Sequence, residues 1–194
     1  MKRNFISLLA LAGLSLAGAM AQAQTSSWTI DPAHSSVEFQ IRHLGVSNVR
    51  GSLSGVKGTV QLDDKDVTKS SANATIETST VSTSNDARDK HLKSPDFFDV
   101  AKFPQISFKS SSFSNSSGKL QMTSDLTMNG VTKPVTLEVD GPAPPQKGMG
   151  GKTVSGFSAT GTVKRSDFGF GSKYAPPMLG DDVKFTIDLE IGKQ

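Results

Sequence analysis

From Trp28 onward the chain alternates. Val37, Phe39, Ile41 and His43 share one parity, and Glu38, Gln40 and Arg42 share the other. A period of two is what places one side of a strand against a core. The pattern recurs at Val56, Gly58, Val60 and Leu62, at Ala72, Ala74 and Ile76, at Ile106 and Phe108, at Leu120 and Met122, at Leu126 and Met128, and at Val135, Leu137 and Val139. Phe157, Ala159, Gly161 and Val163 supply another strand. The last is the cleanest, with Val183, Phe185, Ile187, Leu189 and Ile191 set against Lys184, Thr186, Asp188 and Glu190. Asn129-Gly130, between Met128 and Val131, predicts a two-residue hairpin, because both residues accept the positive φ of a type I′ turn. Roughly eight antiparallel strands with one polar face make an all-β protein, either a sandwich or a closed barrel. Small residues at inward positions (Gly58, Ala72, Ala74, Ala159, Gly161) favour a barrel with internal room. Any single glycine among them serves equally well to let a strand bend.

Alternation stops between Ser84 and Pro104. Asn85 or Ser84 predicts a helix N-cap, and Asp86 and Lys90 stand at i,i+4. Ser94-Pro95-Asp96 predicts a second helical start, with a capping hydroxyl before a proline at the first helical position. The reading is a short helical insertion over about residues 85–100 that carries Phe97, Phe98 and Val100, with Phe103 at its exit. Gly141 to Gly151, rich in proline and glycine, reads as a loop within one domain, since both of its flanks have the same strand character.

The first residues change the picture. Lys2-Arg3 precedes an uncharged apolar run from Phe5 to about Ala21, and Ala21-Gln22-Ala23 has the small-x-small form of a secretory cleavage site. Residues 1–23 are therefore expected to be a cleaved signal peptide, with cleavage after Ala23 or, as the second choice, after Ala21. Residues 24–194 are expected to form a single exported domain. The run is too short for the roughly 20 residues of a membrane span, so no stable membrane insertion is expected. The chain has no cysteine, which leaves packing and backbone pairing to stabilise an exported fold. Removing Lys2 and Arg3 from the 21 basic side chains leaves 19 against 18 acidic ones, a net of +1. That balance gives no electrostatic footprint for nucleic acid.

Little catalytic chemistry is on offer. Of three histidines, His34 and His43 differ in parity on what reads as one strand and so face opposite sides, which argues against a shared metal. Ser54-Gly55-Val56-Lys57 has S-x-x-K spacing but lies in a strand pattern rather than at a helix start. Gly151-Lys152-Thr153 ends like a phosphate-binding loop, but Gln146 occupies the required leading glycine position. What remains is Arg88, Asp89 and His91 in the insertion, with His34, Arg42 and His43 near the first strands. These are candidates for meeting a polar headgroup at a cavity mouth, or for ion pairs that tie the insertion down.

The chain resembles the YceI-like family of bacterial periplasmic, lipocalin-like proteins over nearly all of its mature length. The resemblance rests on Trp28-x-Ile30-Asp31-x-x-His34-Ser35-x-Val37-x-Phe39, Arg42-His43-Leu44-Gly45, Asn85-x-x-Arg88-Asp89-x-His91-Leu92-x-Ser94-x-Asp96-Phe97-Phe98-Asp99-Val100, Phe103-Pro104-x-Ile106-x-Phe108 and Arg165-x-Asp167-Phe168-Gly169. It implies an extended eight-stranded antiparallel barrel, commonly a homodimer, around a hydrophobic cavity that holds polyisoprenoids or related long apolar chains, with no established catalytic residue. The expected ligand is an isoprenoid quinone or precursor, another polyisoprenoid, or a fatty amide, and no other cofactor and no metal is expected. The candidate lining and mouth residues are Phe39, Ile41, His43, Ala74, Ile76, Arg88, His91, Phe97, Phe98, Phe103, Ile106, Phe108, Phe157, Ala159, Phe168 and Phe170. The competing reading is a hydrolase or isomerase acting on such a lipid, with His91 or His43 as base and Arg88 as anion partner. A third reading is an envelope stress or partner-binding protein whose interior is filled.

Overall fold

The computed structural model describes residues 25–194, so the expected signal peptide at 1–23 lies outside the described residues. The strands are β1 (Thr25–Ile30), β2 (Ser36–His43), β3 (Ser47–Leu53), β4 (Lys57–Asp63), β5 (Ser71–Glu77), β6 (Gln105–Ser116), β7 (Lys119–Met128), β8 (Val131–Asp140), β9 (Gln146–Lys147), β10 (Thr153–Lys164) and β11 (Leu179–Lys193), with one helix, α1 (Asp86–Leu92). β11, β1, β4, β5, β6, β7, β8 and β10 pair in that order, each antiparallel to the next, and the β10–β11 pairing closes the ring. The protein is a closed eight-stranded antiparallel barrel with one short helix.

β2 and β3 extend one end of the wall. β11 is 15 residues long, so its C-terminal end pairs with β1 while its N-terminal part pairs with β2, from Asp188↔Ser36 to Leu179↔His43. The chain turns between β1 and β2 because the Asp31 carboxylate accepts from the backbone N–H of Ala33, a local bond that competes with the ladder. β3 folds back on β2, and a Ser52↔Ser82 bridge fastens it to the chain that leaves β5. The Asn129-Gly130 hairpin forms as predicted, with φ of 51° and 74°.

Only one of the two expected helical starts becomes a helix. Asn85 Oδ1 accepts from the Arg88 N–H at 3.0 Å and caps α1. After Leu92 the chain winds through turns, with the N–H groups of Phe97 and Asp99 both donating to the Ser94 carbonyl. Asp99 sits at φ 44°, a left-handed conformation that no helix continues through. The insertion is pinned to the barrel by Thr78, which donates through N and Oγ1 to the carbonyls of Pro104 and Phe103, and by Asn129 Nδ2, which donates to the Phe97 carbonyl.

The core follows the predicted parity. Leu120, Met122, Ser124 and Leu126 are the buried set of β7, and Val135, Leu137 and Val139 that of β8. Trp28 is 2% exposed and its indole N–H donates to Ser26 Oγ at 2.8 Å, so this large side chain is buried with its one polar group paired.

Candidate functional site

A cavity of about 360 Å³ opens at the end of the barrel where β2, β3, α1 and the Tyr174–Leu179 loop meet. It is of the size that takes small-molecule ligands. Each wall strand contributes residues of one parity: Phe39 and Ile41 from β2, Ile76 from β5, Ile106 and Phe108 from β6, and Val183, Phe185 and Ile187 from β11. The insertion covers one side. Phe97 packs edge-on to Phe170, with ring centroids 5.2 Å apart, and stacks on Tyr174 at 5.4 Å; Phe98 meets Phe170 edge-on at 4.6 Å. Such aromatic pairs each contribute about 0.5–1.5 kcal/mol beyond the area they bury.

The polar groups on this wall are His43, Arg88, His91, Arg165 and Tyr174, and no carboxylate lines it among the described residues. Arg88 donates through Nε to Thr83 Oγ1 at 2.7 Å and through Nη2 to the Thr83 carbonyl at 2.9 Å. Asp89 accepts from both the N–H and the hydroxyl of the same Thr83. Thr83, 7% exposed, is thus the node that ties α1 to the chain before it. His91 Nε2 lies 3.4 Å from Asp96 Oδ2 and 3.3 Å from Tyr174 Oη, with its ring edge-on to Phe97 at 5.0 Å. Asp96 also accepts from Lys173 Nζ at 2.6 Å, and that bond, with a smaller contribution from His91, holds its carboxyl below the usual carboxylate range. Arg88, His91 and His43 share no hydrogen bond among the described residues, and Arg88 Nε and Nη2 and the Nε2 of His91 engage structural partners. The acid–base arrangement that a lipid-acting enzyme needs is not assembled from them.

Arg165 is the feature the sequence reading missed. It is 3% exposed, and all five of its N–H donors meet backbone carbonyls: Nε to Gly180 at 2.8 Å, Nη1 to Phe170 and Gly171 at 2.9 and 2.8 Å, and Nη2 to Leu179 at 3.0 Å and to Tyr174. A short turn, Arg165–Phe168, swings the side chain inward, and that turn is held by Ser166, whose N–H and hydroxyl bond the Asp181 carboxylate. The guanidinium pins both sides of the Phe170–Leu179 loop at the cavity entrance. Its place in the quoted Arg165-x-Asp167-Phe168-Gly169 motif was the available signal, but no periodicity reveals a buried cation.

Of the residues named from sequence, Phe39, Ile41, His43, Ile76, Arg88, His91, Phe97, Phe98, Ile106, Phe108 and Phe170 line this cavity. Ala74, Phe157 and Ala159 line a second, smaller one of about 60 Å³ deeper in the barrel. Phe103 and Phe168 line neither. Phe103 is half-buried, its ring against Gly130 of the β7–β8 hairpin and under Lys102 Nζ at 5.0 Å. Phe168 belongs to the Arg165 turn and is 2% exposed, its surface taken up by packing rather than facing a void. His34 is not at the mouth. It sits in the β1–β2 connection, with Nδ1 3.0 Å from Asp31 Oδ2 and 3.8 Å from Glu190 Oε1. The bond to Asp31, then the Glu190 charge, raise its pKa.

The class of fold is a closed antiparallel β-barrel with an apolar interior cavity and a few polar side chains in its lining. The chain belongs to the YceI-like family: the YceI-like domain model matches residues 28–191. It is 39% identical over 186 residues to Protein YceI of Escherichia coli O6:H1, covering 95% of this chain and 96% of that protein. It is 40% identical over 170 residues to the UPF0312 protein MW2606 of Staphylococcus aureus, covering 86% of this chain and 97% of that one. Among solved structures, Campylobacter jejuni YceI superposes with a TM-score of 0.67 at 33% identity, over 79% of this chain and 90% of its own. Burkholderia cenocepacia BcnA gives 0.71 at 22% identity, over 83% and 98%. A polyisoprenoid binding domain from Saccharophagus degradans, implicated in plant cell wall breakdown, gives 0.64 at 12% identity, over 87% and 99%. The last two support the fold alone.

Proposed function

We propose that this protein is a periplasmic binding protein that holds a long-chain apolar molecule, a polyisoprenoid, an isoprenoid quinone or precursor, or a fatty amide, for transport, storage or sequestration. The observation that carries this reading is the roughly 360 Å³ interior space walled by hydrocarbon and aromatic side chains, with polar groups confined to a few positions. Each methylene moved from water into such a space contributes about 0.8 kcal/mol, so a chain binds well with few polar contacts. Arg88, His43 and His91 line this end of the cavity, and although Asp96 pairs with His91, no carboxylate lines the wall itself among the described residues, which suits a ligand end that accepts hydrogen bonds or carries negative charge. The name of the Saccharophagus domain is consistent with this class of ligand. Residues 1–23 act as a cleaved export signal, residues 24–194 are the single mature domain, and two copies associate as a homodimer. Displacement of a fluorescent polyene fatty acid from the purified protein tests the reading. Isoprenoid and acyl chains ending in a carbonyl or acid should compete, and a chain ending in a primary amine should compete less well. Failure of the probe and of every chain to bind overturns it.

A further inference from the structure

The two interior cavities are stacked along the barrel axis and share three residues, Ile76, Phe108 and Ile187. The strands show the layering. On β11, Phe185 lines the large cavity, Ile187 both and Leu189 the small one; on β5, Ile76 lines both and Ala74 only the small one. On β6, Ile106 lines the large cavity and Phe108 both. Neighbouring same-face positions are about 7 Å apart along a strand, so the partition is a single layer of side chains. β7 repeats the register, with Leu126 at the large cavity, Met122 at the small one, and Ser124 at the level between. Ser124 is 0% exposed and its hydroxyl has no hydrogen-bond partner among the described residues, an uncommon state for a polar group sealed in a core.

We propose that Ile76, Phe108 and Ile187 form a septum that sets the longest apolar chain the barrel accepts, an inference that rests on the apolar-chain function above. The large cavity is bounded on its inner side by this layer, so a chain of limited length fills it. A longer chain has to turn back to the mouth or displace the septum into the small cavity. The septum is made of aliphatic and aromatic side chains with no hydrogen bond to break, so its resistance is steric. The small cavity beyond it is walled by Ala72, Ala74 and Ala159, positions with volume to give once the layer is opened.

The test is a binding titration with a homologous series of saturated fatty acids on the full mature protein. Wild type should gain about fourfold in affinity per added methylene up to a break, beyond which added carbons gain nothing. Ile187→Ala should move that break to longer chains by several carbons, and Ile187→Val by about one. Filling the small cavity with Ala159→Phe in the Ile187→Ala background should return the break to its wild-type position. The near-ultraviolet circular dichroism of buried Trp28 reports whether each variant keeps its packing, and the Ile187→Val comparison stands if the alanine variant does not fold. A break at the same length in wild type and in folded septum variants overturns the septum while leaving the apolar-chain function intact. Binding of no chain by wild type overturns both.

Discussion

Replacing Arg165 by lysine keeps the charge and removes the fork. The guanidinium makes five N–H···O=C bonds, four of them between 2.8 and 3.0 Å, to carbonyls of Phe170, Gly171, Tyr174, Leu179 and Gly180. An ammonium has three donors, so at least two of these carbonyls lose their partner. At about 1–3 kcal/mol for each sealed, unpaired group, Arg165→Lys should cost about 2–6 kcal/mol. That is a large fraction of the roughly 5–15 kcal/mol by which a domain is stable. Among the described residues no carboxylate forms an ion pair with the guanidinium, so ionic strength should barely change the penalty, which separates this role from an ion pair. Urea denaturation at low and high salt measures both quantities. A loss under about 1 kcal/mol, or one that salt largely removes, would refute the account of Arg165 as a carbonyl clamp.

Three further perturbations bear on the same structure. Thr83→Val removes the hydroxyl that serves both Arg88 and Asp89 and should cost about 1–3 kcal/mol, read as a lower urea midpoint and faster hydrogen exchange across residues 86–92. A Cβ at Gly161 would lie 2.5 Å from Leu137 Cδ2 and 2.8 Å from Phe185 Cζ, so Gly161→Ala should overpack the wall by about 1–3 kcal/mol and lower the melting temperature. His34 has a raised pKa, and Asp31 a lowered one caused first by its bond to His34, so their attraction stabilises the fold between the two titrations. It is fully present below about pH 6.5 and fades as pH rises through the raised histidine value; at the acid end it is lost as pH falls through the lowered Asp31 value. The melting temperature of His34→Gln should therefore trail wild type more at about pH 5 than at pH 8, and the reverse order would contradict this.

Strand parity was legible because the barrel has one wet and one dry face, so Phe39, Ile41, Ile106 and Phe108 announce their direction locally. The same signal marked Val183, Phe185 and Ile187 as inward without saying that they face a void, since parity separates inside from outside but not filled from empty. Ala74, Phe157 and Ala159 line the deeper cavity rather than the large one, because height along the axis depends on the stagger between strands, which one sequence does not display. Phe103 and Phe168 fall outside both cavities because each lies in a turn, where no period fixes direction. The second helix failed for a similar reason: Ser94-Pro95-Asp96 offers a start, but Asp99 takes a left-handed conformation that packs Phe97 and Phe98 on the barrel. Arg165 was beyond reach because its partners are backbone carbonyls, which carry no residue-specific signal. Its motif came from the family resemblance, whereas its burial came only from the fold.

Whether the large cavity holds a long apolar chain can be read from the protein itself. The most direct test is solvent extraction and mass spectrometry of the protein purified under native conditions from its own host, alongside a variant with the cavity filled by Ile106→Trp. Wild type should yield a chain-bearing lipid with an acceptor or acidic end, near one per binding site, and the filled variant little. Equal amounts of the same lipid from both proteins, or none from either, would contradict this.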